Sequence, residues 1–211
     1  MIRFDTLDSF DMEYRNRASV SAGLEAKERQ VEGALVRFVD ALIASPCPGL
    51  ENITDVAALV DAATVDSSVC DGCLFDEIES YLDANQGFYG STVTLLGGDD
   101  GKAVCSPYVY RVAEGGQWER TDSLMDASYK IDEQPWLREP VDTESAVWSD
   151  PYFDEGGGNI TMETYSVPIV VEGRVVGVAT TDLPVSSGVR VGVGVGVGVL
   201  LGVAAVLAHL L

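Results

Sequence analysis

Histidine, lysine and any nucleophile–base pairing are what this 211-residue sequence has least of. Its single histidine, His209, sits inside an apolar C-terminal run, so these residues build no Ser-His-Asp or Cys-His arrangement elsewhere. Lysine occurs only at Lys27, Lys102 and Lys130, and 13 basic residues face 34 acidic ones, a net charge of -21 at pH 7. A surface so acidic repels a phosphate backbone, which argues against nucleic acid as a partner. The acid excess reads as a solubilising shell, or as adaptation to a salty medium that screens self-repulsion. Carboxylates are so abundant that no pair singles itself out for acid–base work. The glycines at 156–158 lack the Lys-Ser/Thr of a phosphate loop, and Asp150, Asp154, Glu155 and Asn159 miss the alternating register of a calcium loop. The sequence is therefore read as a non-enzyme, with no catalytic residue, metal ligand or cofactor assigned.

Cysteine is sparse but even in number: Cys47, Cys70, Cys73 and Cys105. Cys70 and Cys73 have CxxC spacing without a flanking thioredoxin-like βαβ pattern or a second CxxC, so structural disulfides are read ahead of free buried thiols and of a metal site. Met1–Phe10 carries acids and no apolar stretch, and does not read as a signal peptide.

What is present is strong periodicity. From Leu7 to Ser45 the pattern is helical, with Val31, Leu35, Phe38, Val39, Leu42 and Ile43 on one stripe and Pro46 and Pro48 ending it. Thr6 or Asp8 is a suitable cap. Two shorter helices are expected at Thr54–Ala63 and Leu74–Ala84. Phe88–Leu96 reads as a strand, Gly97–Gly101 as a turn and Ala103–Val112 as its partner. Tyr129–Glu139 reads as loop and short helix interrupted by Pro135 and Pro140. Trp148–Phe153 is expected to be a short strand or loop. Ile160–Val171 and Arg174–Thr181, rich in Val, Ile, Thr and Tyr, flank Glu172-Gly173 and predict a hairpin. Helices first and antiparallel strands later predict an α+β domain whose sheet is covered on one face.

Beyond Leu183 the composition changes. Val191–Leu211 is 21 residues without an acid, lysine or arginine, long enough for a transmembrane helix. The expected division is a long helix or helix pair at 1–45, a sheet module at 46–187 and a membrane helix at 188–211.

The ordered pieces FYGS (Phe88–Ser91), SPYVYR (Ser106–Arg111), PWLREP (Pro135–Pro140), VWSDPYFDEGGGN (Val147–Asn159), TYSVPI (Thr164–Ile169) and GVATTDL (Gly177–Leu183) resemble Cache domains, the PAS-like extracytoplasmic sensor modules of bacterial and archaeal receptors. The likeness is to the double-Cache type found in membrane-bound PP2C-type phosphatases, histidine kinases and chemoreceptors, and it covers about Leu7 to Leu183. It implies a long N-terminal helix, an antiparallel PAS-like sheet, and a small molecule held between the sheet and its covering loops. Ligand-driven helix repacking would carry the signal across a cell membrane.

In amino-acid-binding members of that family an Arg-x-Trp-Tyr element holds the carboxylate, and an aspartate ending the last strand takes the amine. The corresponding element here is Gln134-Pro135-Trp136-Leu137, so Trp136 matches while the arginine and tyrosine positions depart. Asp182 matches the aspartate. Tyr129, Tyr152 and Tyr165 are assigned as aromatic walls. The resemblance thus implies a ligand-binding set of Tyr129, Trp136, Tyr152, Tyr165 and Asp182, for an amino acid, an amine or another small metabolite. It also implies an extracytoplasmic module, here tethered by the apolar C-terminal stretch, while the long first helix reads either as a packed helix or as a signalling stalk or homodimer seam. The family's preceding membrane helix, second module and output domain are not found in the sequence. The alternative reading is a structural or interaction module, or a receptor fragment, with a degenerate pocket.

Overall fold

The computed structural model describes residues 7–44, 47, 72–97, 101–112, 117–155 and 158–185; of 7–22 and Leu24 only the backbone is described. The expected helix Thr54–Ala63, Cys70 and the apolar stretch Val191–Leu211 lie outside the described residues. Among the described residues no helix is long and apolar enough to cross a membrane.

The first helix, α1, runs Leu7–Ala44 and α2 runs Leu74–Ala84. Eight strands follow: β1 (Gly90–Gly97), β2 (Lys102–Cys105), β3 (Tyr108–Arg111), β4 (Trp118–Thr121), β5 (Val147–Trp148), β6 (Tyr152–Asp154), β7 (Ile160–Val171) and β8 (Arg174–Pro184). Between β4 and β5 lie short 3-10 turns and the helix α3 (Pro135–Thr143). All strand pairs are antiparallel, in the order β4-β3-β1-β8-β7-β5, with β2 also on β1 and β6 also on β7. The architecture is the expected α+β one.

The stripe on α1 does what its spacing requires: Val31, Leu35, Phe38, Val39 and Leu42 are buried. Each such side chain contributes about 1.5–3 kcal/mol of transfer free energy, before the chain entropy that opposes it. They meet Leu74, Ile78, Tyr81 and Leu82 of α2 and one face of the sheet, with Tyr165, Val167, Ala179 and Leu183 among its residues. A disulfide joins Cys47, just past α1, to Cys73 at the head of α2. Cys73 is therefore no half of a CxxC redox pair. Cys105 is disulfide-bonded as well.

The opposite face is not bare. There Leu96, Tyr108 and Val178 pack with Leu124, Ile131, Trp136 and Leu137 of the turns and α3. The one-faced sheet expected from the sequence is thus corrected to a sheet covered on both sides. Every residue of β1 is buried, the signature of a strand enclosed on both faces.

Three local expectations also change. Pro107 splits the single strand expected after the 97–101 turn into β2 and β3, because proline offers no ladder donor. β4 was not anticipated: its Trp-Glu-Arg-Thr is short and polar and pairs only with β3 at the sheet edge. Pro135 starts α3 instead of interrupting it, since the first helical position needs no donor, and Pro140 lies within the helix. The hairpin forms as expected, with Glu172 at φ 51° and Gly173 at φ 80°, a two-residue turn whose twist matches the strands.

Candidate functional site

Strand alternation determines which side chains meet. Along β8, Val178, Thr180 and Asp182 face the α3 side, while Ala179, Thr181 and Leu183 face α1 and α2. Asp182 lies between Gly90 of β1 and Thr164 of β7 in the register. Its carboxylate accepts from the Thr164 hydroxyl at 2.7 Å and from the Tyr108 hydroxyl at 2.8 Å. Because the Thr164 proton is committed to Asp182, the Tyr152 hydroxyl, 2.9 Å from Thr164 Oγ1, is the donor in that contact. Tyr108 reaches across β1 only because Gly90 has no side chain. A Cβ there would collide with the Tyr108 hydroxyl and lie 2.9 Å from Asp182 Oδ2.

The rest of the cavity comes from the covering segments. Leu124 and Tyr129 enter from the turns after β4, Trp136 from α3, and Tyr152 and Asp154 from β6. Trp136 Nε1 donates to the Tyr129 hydroxyl at 3.2 Å, which orients both rings. The remaining free volume is about 10 Å³, room for one water molecule.

Asp182 is 3% exposed. Burial pushes its carboxyl up to about 6, opposed by the bonds from Thr164 and Tyr108 and reinforced by Asp154. Above that pH it is an ionised group inside the protein, and no lysine or arginine among the described residues forms an ion pair with it. A buried charge so placed costs stability unless something positive joins it. Burial, with Asp182 nearby, also pushes the Tyr108, Tyr129 and Tyr152 phenols up, so all three stay protonated donors. The arrangement can hold a cationic group against aromatic walls.

Of the five residues assigned from the sequence, Tyr129, Trp136, Tyr152 and Asp182 converge here. Tyr165 does not. It pairs with Thr181 across the hairpin, turns to the helix side and packs on Trp148 with ring centroids 4.9 Å apart. Odd parity carries it there, one residue from Thr164, which takes the place at the pocket. Tyr108 and Thr164 were missed. Thr164 could have been found from hairpin parity, counting back from Asp182 through the two-residue turn. Tyr108, 74 residues from Asp182, gave no local signal.

A second, larger hollow of about 520 Å³ adjoins this pocket on the same sheet face. Trp136 and Tyr152 line both.

Residues 75–187, more than half of the chain, match the family model for the first PDC sensor domain of methyl-accepting chemotaxis protein-like receptors. No curated protein is matched by this sequence. The sensory domain of the Campylobacter jejuni chemoreceptor Tlp3 with isoleucine bound has 14% identity and a TM-score of 0.51, covering 87% of this chain and 64% of its own. The same receptor's ligand-binding domain with L-norvaline has 16% identity and a TM-score of 0.51, covering 87% and 63%. The ligand-binding domain of the Pseudomonas aeruginosa PAO1 amino acid chemoreceptor PctC with GABA has 15% identity and a TM-score of 0.46, covering 86% and 62%. The chain spans less than two thirds of the length of each. At these identities the Tlp3 structures speak for the fold alone.

Proposed function

The chain belongs to the family of first PDC sensor domains of methyl-accepting chemotaxis protein-like receptors, and on that premise we propose that it is the extracytoplasmic small-molecule sensor module of a signal-transduction receptor. The observation that carries the reading is Asp182: an ionisable carboxylate, buried in an aromatic pocket, held by two hydroxyls and lacking a cationic partner among the described residues. A protein gains nothing in stability from such a group. A ligand with a positively charged end would supply the missing charge. Amino acids and amines are the matching classes, and the Tlp3 structures carry isoleucine and L-norvaline.

The same reading includes signal transfer by helix packing. Thr181, adjacent to Asp182 but facing the other way, lies 2.6 Å from the Tyr81 hydroxyl of α2, and Tyr81 stacks on Phe38 of α1 at 4.5 Å. A shift of β8 on ligand binding has a packed route to α1, along which a homodimer seam would receive it. The disulfides support an oxidising, extracytoplasmic setting. We place the module at residues 46–187, the long helix at 1–45 and a membrane helix at 188–211 that tethers the module to the cell membrane.

A thermal-shift panel of amines, amino acids, organic acids and sugars on the full chain in mild detergent tests the reading. A concentration-dependent rise in the midpoint, lost in Asp182→Asn, is expected. The small free volume and the departed arginine favour a second reading, a scaffold with a degenerate pocket. Absence of any shift from a folded protein would establish that reading instead.

A further inference from the structure

The pocket and the neighbouring hollow form one acidic system. The inner compartment is lined by Asp154 and Asp182, the outer by Glu139 and Asp150, and neither lining contains a lysine or arginine. The outer compartment also holds a polar atom with nothing to bond: Ser166 Oγ is buried, the residue is 1% exposed, and it has no hydrogen-bond partner. Trp136 and Tyr152 form the partition between the two, so a slim chain passing that partition would lie along aromatic surface.

The sheet register gives the spacing. Asp182 pairs with Thr164 on the neighbouring strand, and Thr164 in turn exchanges bonds with Ser149, at 2.9 Å to its hydroxyl and 2.9 Å from its amide. Asp150 follows Ser149 directly. The two carboxylate-bearing segments therefore stand two strand spacings apart, roughly 10 Å.

We propose that the outer hollow is a second cation subsite, and that the molecule spanning the two compartments is a linear aliphatic diamine or polyamine. One ammonium replaces the missing partner of Asp182. The alkyl segment lies between Trp136 and Tyr152. The second ammonium sits among Asp150, Glu139 and the Ser166 hydroxyl, whose oxygen accepts a hydrogen bond from it. A carboxylate-bearing ligand is disfavoured, because both compartments would meet it with like charge. This inference rests on the sensor reading of the same site and narrows it.

The test is calorimetric titration of the full chain, in mild detergent at moderate salt, with linear diamines of increasing length, matched alkyl monoamines and a neutral amino acid. Diamines are expected to bind at least tenfold more tightly than the matched monoamine, with an optimum in chain length. In the double variant Asp150→Asn/Glu139→Gln, both at exposed positions, that preference is expected to vanish while monoamine affinity stays put. A diamine preference without a length optimum, or one that survives the double variant, overturns the subsite. Binding of the amino acid with no preference for diamines overturns it too, yet leaves the sensor reading standing. No binding by any probe to the folded chain overturns both.

Discussion

Asp182 is the residue whose environment departs furthest from what stability alone would select. The sign of its effect is fixed by its raised pKa. A carboxyl at about 6 in the folded state against 3.8 otherwise contributes stability that is full below 3.8 and is lost as the pH rises through 6. At pH 7.5 the ionised form costs the ligand-free protein on the order of 3 kcal/mol. Asp182→Asn keeps the shape and can still engage Tyr108 and Thr164. Its unfolding free energy, measured by denaturant titration, is therefore expected to rise at pH 7.5, by about 1–3 kcal/mol, with the gain gone at pH 4. The same substitution is expected to abolish binding of a cationic ligand. A variant less stable than the parent at pH 7.5 would show that the carboxylate serves the fold.

At the level of elements, two contacts set the pocket's shape and its link to the helices. Gly90→Ala drives a methyl group into the Tyr108 hydroxyl and against Asp182, and the resulting overpacking is expected to cost about 1–3 kcal/mol in chemical denaturation and to weaken ligand binding. Tyr81→Phe removes the bond to Thr181 but keeps the ring on Phe38. Leaving the buried Thr181 hydroxyl unpaired is expected to cost about 1–3 kcal/mol. Ligand affinity should change little, whereas the ligand-dependent change in amide exchange of α1 should diminish. An undiminished response in α1 would remove Tyr81 from the route.

These elements were unequally legible in the sequence. The α1 stripe and the β7–β8 hairpin announced themselves, because one buried face imposes a period of 3.6 and a turn with two positive φ values leaves Glu-Gly between β-branched runs. β4 gave no sign, since an edge strand gains its pairing from β3 and needs no apolar alternation of its own. At the candidate site, the family resemblance pointed to Asp182 and Trp136, which line one pocket. Tyr165 was misassigned because aromatic character does not reveal which face a strand residue takes; only the cross-strand register with Thr181 does that. Tyr108 was illegible for a different reason, as its contact depends on how β3 crosses Gly90 toward β8.

Across the whole molecule the dominant feature is the net charge of -21. Described ion pairs such as Arg120 with Glu79 and Asp76 neutralise little of it. Self-repulsion should be relieved by salt, which shortens the screening length from about 10 Å at 0.1 M to about 3 Å at 1 M. The melting temperature of the full chain is expected to rise over that range, measured by differential scanning in sodium chloride. A flat or falling curve would show that attractive pairs outweigh the repulsion. The same excess of negative charge would draw cations toward the pocket, and high salt should slow that capture.

The most direct check on the account is a carboxyl-carbon NMR titration of Asp182 in the full chain, with and without a saturating alkylamine. The free protein should titrate near 6, and the bound protein at a distinctly lower pH, because an ammonium ion favours the ionised carboxylate. A midpoint near 6 that the amine leaves unmoved would contradict the claim that Asp182 is held in the pocket to receive a cation.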